Sequence, residues 1–173
     1  MDTHEFLSSV LARGNYYCLL QLLDGGKDAA NRKQTFYGSI DDLVVAAKQA
    51  DNNGWDVYMA MGSFAERGKR TNDRVQNVKA LFLDLDIDDD DERKYPSQRE
   101  ALNGLRSFCK ELKLPKPFIV NSGRGVHVHW ALKESVPKDE WQIVATRLKA
   151  MVKEKGLLAD HAVTSDAARV LRI

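Results

Sequence analysis

The chain has 173 residues, 43% of them hydrophobic and 29% charged, with a formal net charge of +1. That size supports one sizeable core or two closely packed halves, and the near-neutral balance argues against a strong nonspecific hold on a polyanion, since such affinity rises with the number of phosphates neutralised. No apolar run approaches a membrane span and no signal-peptide pattern is present. Cys18 in an apolar run and Cys109 in a helical pattern fit buried thiols of a reducing compartment, so a cytoplasmic protein with no membrane role is expected.

Residues 3–13 read as a short helix with Phe6, Leu7, Val10 and Leu11 on one face. A buried strand is expected over 16–23, then a Gly25-Gly26 turn and a short strand over 34–37. Ser39 with Asp42 opens a helix that ends at Asn52-Asn53-Gly54. A strand over 55–61 leads into a loop rich in Arg67, Lys69, Arg70 and Arg74. A second series starts at Lys79: a strand to Ile87, an acidic run from Asp88 to Glu92, and a helix opened by Ser97 and Glu100 and closed around Pro115 and Pro117. Strands over 118–121 and 126–132 flank the turn Ser122-Gly123-Arg124-Gly125. A helix follows Pro137, Gly156 suits the position after its end, and a last strand is expected over 168–173.

The second series, over residues 79–173, reads β-α-β-β-α-β, the split ferredoxin-like arrangement. Its usual strand order sets the first and third strands side by side, and the last beside the first. In the segment from Leu81 to Asp86, side-chain alternation sends Leu81, Leu83 and Leu85 to the core and Asp84 with Asp86 to the other face. His127 and His129 share one face of the neighbouring strand. Two close carboxylates repel unless a cation lies between them; the alternative is a strand running out into a solvated acidic loop. Hard oxygen donors with room for substrate oxygens suit Mg²⁺ or Mn²⁺ and phosphoryl chemistry. A third carboxylate would come from Asp160 or Asp166. The glycine turn offers backbone N–H groups, a hydroxyl and a guanidinium to an anion, although a hairpin turn needs glycine in any case.

Four other readings compete. His127-Val128-His129 matches the metal-binding pair of replication-initiation nickases of the HUH type, yet every tyrosine here precedes it, where that chemistry needs one downstream. A metal-dependent nuclease and a noncatalytic nucleic-acid-binding module share the topology. An EF-hand fails at its sixth position, Asp89 in place of glycine, and at its twelfth, Tyr95 in place of glutamate.

Three blocks in order, Phe82-Leu83-Asp84-Leu85-Asp86, Ser122-Gly123-Arg124-Gly125-Val126-His127, and the run from Asp160 to Arg172, resemble the motifs of the archaeo-eukaryotic primase superfamily. The likeness is to the primase-polymerase domains of phages and plasmids. It implies an α+β fold in which an N-terminal α/β unit (1–78) packs on an RRM-like catalytic unit (79–173), with the active site in the cleft between them. It further implies Asp84, Asp86 and Asp160 as metal ligands, and His127, Ser122 and Arg124 on the triphosphate of the incoming nucleotide. Arg169 and Arg172 would lie near nucleotide or template. The implied reaction is DNA-templated nucleotidyl transfer to a primer from nucleoside triphosphates during replication. The family motif runs on beyond Arg172, so a domain from a longer protein, joined to a helicase, is expected.

Overall fold

In the computed structural model, which describes residues 1–173, the chain divides into two units. One comprises Met1–Lys79, Leu132–Lys138 and Ala167–Ile173; the other comprises Ala80–Ala131 and Asp139–Asp166.

The first unit is built on strands β1 (Tyr17–Leu22), β2 (Arg32–Tyr37), β3 (Asp56–Ala60) and, from the far end of the chain, β8 (Val170–Arg172), in the order β2-β1-β3-β8. All its pairings are antiparallel. Helices α1 (Thr3–Val10) and α2 (Ile40–Asn52) bury Phe6, Leu7 and Val10, and Leu43, Val44 and Ala47. Asp2 caps α1 with a reciprocal Glu5 capping box, and the Ser39 hydroxyl accepts the Asp42 N–H at the start of α2. Each cap supplies a partner to a helix-end N–H that has none within the helix. The short strand β4 (Gly62–Phe64) pairs antiparallel with the first residues of β5 (Val75–Asp86).

The second unit carries the rest of β5, β6 (Phe118–Asn121) and the first part of β7 (Gly125–Pro137), and the sheet runs β4-β5-β7-β6. Alternation along β5 and β7 sends Leu83, Leu85, Val126, Val128 and Trp130 into one core with Leu105 and Phe108 of α3 (Gln98–Glu111) and Leu148 and Val152 of α4 (Lys138–Glu154). On the other face of β5, the Phe82 ring stacks on Trp141 at 5.5 Å, and the Trp141 Nε1–H donates to the Ala80 carbonyl at 2.8 Å. Ser97 caps α3 as its spacing to Glu100 predicts.

The architecture is the expected mixed α/β one, with β5 and β7 adjacent at the centre of their sheet. One strand departs from the expectation. The last strand does not lie beside β5; it pairs with β3, Tyr58 opposite Arg172 and Ala60 opposite Val170. The place next to β5 belongs to β4, which falls in the stretch after residue 61 where the pattern predicts only loop. A pairing between segments close in sequence costs less loop-closure entropy than one that recruits a distant end.

Candidate active site

Asp84 and Asp86 stand at the end of β5 on the face opposite the core leucines. Asp84 is buried, with 8% of its surface exposed, and Asp86 is half-buried. A carboxylate removed from water needs a compensating group. His127, also buried, supplies one: its Nε2 lies 3.6 Å from Asp84 Oδ1, a distance for charge attraction rather than a direct hydrogen bond. Asp160 is brought to the same strand by its backbone, its N–H donating to the Asp84 carbonyl at 2.9 Å. Its Oδ1 accepts the Ala162 N–H at 2.8 Å, capping the one-turn helix α5 (His161–Thr164). Asp86 and Asp160 line a cleft of about 420 Å³ together with Arg93, Lys94 and His161.

The turn from Ser122 to Gly125 is fastened to the end of β5. Ile87 N–H donates to the Arg124 carbonyl at 3.0 Å, and Ser122 N–H donates to the Gly125 carbonyl at 3.1 Å. The Asn121 side-chain oxygen accepts the Gly123 N–H at 2.8 Å and the Gln98 amide at 2.9 Å, so the turn is also held by the start of α3. Gly123 has φ +86°, a region that favours glycine. At Gly125 the reason is space: a Cβ there would meet the Leu85 carbonyl oxygen at 2.4 Å. The glycines therefore bring the turn's backbone onto the strand that carries the aspartates. Ser122 is half-buried and the Arg124 side chain is exposed.

His129 is fully buried, its ring 6.5 Å from that of His127 and nearly perpendicular to it. Burial, reinforced by His127, pushes its pKa down to about 3, so it is a neutral core side chain at ordinary pH. Arg169 and Arg172 belong to the first unit. Arg172 makes a 2.9 Å ion pair with Asp56, donates to the Tyr58 hydroxyl at 3.1 Å and lies over the Tyr58 ring. The Arg169 carbonyl accepts the Met61 N–H at 2.9 Å. In the same segment Ala168 offers its carbonyl to the Arg70 guanidinium.

The acidic run is only partly solvated. Asp89 and Asp90 are exposed, but Asp88 and Asp91 are half-buried, paired with Lys94 at 3.3 Å and with Arg93 at 2.8 Å. Carboxylate oxygens of Asp88, Asp89 and Asp90 lie within 4.8 Å of one another and could hold a metal ion. Sequence reasoning passed over Arg93, Lys94 and His161 as cleft residues. The first two sit inside a charge run and read as solvated; His161 had one signal, its position directly after Asp160.

The fold of this chain is shared with solved primase and polymerase domains. Among solved structures, the primase-polymerase domain of cyanophage S-2L matches with a TM-score of 0.62 at 16% identity, over 92% of this chain and 72% of that one. The catalytic domain of the primase RepB′, solved with initiator DNA, matches with a TM-score of 0.53 at 12% identity over 91% of this chain and 67% of that one. The polymerase domain of Mycobacterium tuberculosis ligase D, solved with DNA, has a TM-score of 0.51 at 12% identity over 91% of this chain and 67% of that one. No protein-family model and no curated protein matches the sequence. No helix is long and apolar enough to cross a membrane.

Proposed function

We propose that the chain is the catalytic domain of a DNA primase-polymerase, with residues 1–78 as an accessory unit to which Leu132–Lys138 and Ala167–Ile173 also belong, and the rest of 79–173 as the catalytic one. The reaction is template-directed nucleotidyl transfer: a primer 3′-hydroxyl attacks the α-phosphate of a nucleoside triphosphate, and pyrophosphate leaves. The observation that carries this reading is the grouping at the end of β5, with His127 3.6 Å from Asp84 and Asp160 hydrogen-bonded to the Asp84 backbone. It lies where β5 and β7, the two central strands of their sheet, run side by side.

The donor set fits Mg²⁺ or Mn²⁺, because Asp84, Asp86 and Asp160 offer only hard carboxylate oxygens. Bound there, such ions supply charge neutralisation and polarisation to the reacting phosphate and hydroxyl. The protein's own part is positioning and electrostatics. Asp84 and Asp86 project together from one strand face. His127 holds its Nε2 3.6 Å from Asp84 Oδ1 and would contact the triphosphate. Ser122 and Arg124, on a turn bonded to β5, would grip phosphate oxygens. Arg169 and Arg172 would serve nucleotide or template, and DNA template, primer and nucleoside triphosphates are the ligands. In a longer polypeptide a helicase domain would supply the unwound template.

Extension of a primed DNA template in Mg²⁺ or Mn²⁺ tests the reading. Extension by the native chain that disappears in Asp84→Ala with Asp86→Ala supports it. Cutting of single-stranded DNA with no extension would transfer the same site to a nuclease.

A further inference from the structure

Away from the aspartates, the second unit has a larger apolar groove of about 600 Å³, between the C-terminal half of α3 and the start of β6. Its floor is aliphatic: Leu102, Leu114 and Ile119, with the Cys109 thiol among them. Ile119 is 47% exposed, and β6 is the last strand of its sheet. The rim is uniformly basic, formed by Arg106, Lys110, Lys113 and Lys116, and no acidic side chain lines the groove. The nearest acid on α3, Glu111, is turned to Lys155 at 2.8 Å.

Lys113 adds an independent observation. It has φ +53°, in the left-handed region that a helix end ordinarily fills with glycine. The closing bond is there, Leu114 N–H donating to the Cys109 carbonyl at 2.9 Å. A lysine thus occupies a glycine position, which places an ammonium on the rim at a cost to the fold.

We propose that this groove docks an acidic segment of a partner protein, laid in extended form along the open edge of β6, with aliphatic side chains in the groove and carboxylates against the rim. An unpaired strand edge supplies main-chain bonds while alternate side chains enter a pocket beside it. Four cations without an acid among them complement acidic residues on the incoming strand. Single-stranded nucleic acid is the poorer occupant: its phosphates would meet the rim, but no aromatic ring lines the groove for a base to stack on. The inference stands apart from nucleotidyl transfer and does not depend on it.

The probe is a short fluorescein-labelled peptide of alternating leucine and aspartate, followed by fluorescence anisotropy against the whole chain. A peptide with lysine in place of aspartate, and oligothymidylate, serve as comparators. The acidic peptide is expected to bind, and both the lysine peptide and the variant Lys110→Glu with Lys116→Glu to weaken binding about tenfold or more. Ile119→Glu is expected to do the same. Lys113→Gly separates docking from folding, because its melting temperature should rise while its affinity for the peptide falls. Bound peptide should also slow alkylation of Cys109, with little background from Cys18, which is 1% exposed and whose pKa burial pushes up to about 12. Failure of the acidic peptide to bind, equal binding of the two peptides, or unchanged binding in the rim variants would overturn the proposal. Displacement of the peptide by oligothymidylate through the same rim residues would overturn it in favour of nucleic acid.

Discussion

Two sets of aspartates lie a few residues apart and are treated by the fold in opposite ways. Asp84 is fixed in a central strand, buried and faced by an imidazole, while Asp89 and Asp90 are exposed beyond the strand's end. Asp91, between them and Arg93, is neutralised locally by a bidentate pair with both contacts at 2.8 Å. The difference teaches that carboxylate density alone does not mark a site. A flexible exposed acid can turn to water or to a neighbouring cation, whereas an acid held by strand geometry in a low-dielectric place exerts its charge in one direction.

The largest expected effect separates the two sets by activity. Asp84→Asn keeps the side chain's shape and removes its charge, and primer extension should fall on the order of a hundred- to a thousandfold, the loss typical when one positioned electrostatic group is removed from a catalytic site. Asp89→Asn with Asp90→Asn should leave extension within about twofold, because exposed charges interact weakly. Single-turnover extension rates measure both. A larger loss in the loop variant than in Asp84→Asn would reverse the assignment and make the loop cluster the functional one.

A second prediction separates the strand region from the loop by pH. His129 is held neutral, its pKa pushed from 6.5 down to about 3 by burial. The unfolded chain therefore binds a proton that the folded chain refuses. Stability is fully present above about pH 6.5 and erodes at roughly 1.4 kcal/mol per pH unit below it, until the folded-state pKa is reached. Asp91 runs on a different window. Its pKa is lowered from 3.8 to about 2 by the hydrogen bonds from Arg93, so its contribution is complete above 3.8 and is lost only as pH falls through 2. Urea midpoints between pH 5 and pH 6.5 should slope in the native chain and flatten in His129→Gln. In Arg93→Ala they should keep the native slope.

Much of this arrangement was legible because it is written in local pattern. The period-2 alternation of Leu81 to Asp86 and of Val126 to Trp130 predicts which side chains share a face, and Ser97 with Glu100 marks the start of α3. Strand β6 lies over the residues expected, 118–121. What escaped is nonlocal. β4 is three residues long with a glycine at its head, too short for periodicity to register. β8 was legible as a strand but not in its partner, since pairing with β3 is decided by which edge is open rather than by Val170, Leu171 or Arg172 themselves. Asp160 could be named from its motif, but its attachment to the Asp84 carbonyl is a backbone contact that no side-chain pattern announces.

The smallest effect tests whether the strand region depends on close backbone packing in a way the loop does not. Gly125 has room for a hydrogen but not for a methyl group, since a Cβ would stand 2.4 Å from the Leu85 oxygen and 3.2 Å from the Asp86 Cα. The obstruction is backbone, which cannot rotate aside, so Gly125→Ala must push the turn away from β5. That displacement should cost about 1–3 kcal/mol, the usual scale of overpacking, and should move Ser122 and Arg124 relative to Asp86 because the turn and strand share the Ile87–Arg124 bond. Arg93→Ala on the loop removes a pair whose cation is exposed and should lower the unfolding midpoint less than Gly125→Ala does. If Gly125→Ala keeps native stability yet extends primers poorly, the turn acts on nucleotide alone. If stability and extension fall together, the turn's close seat on β5 is what aligns it with the aspartates.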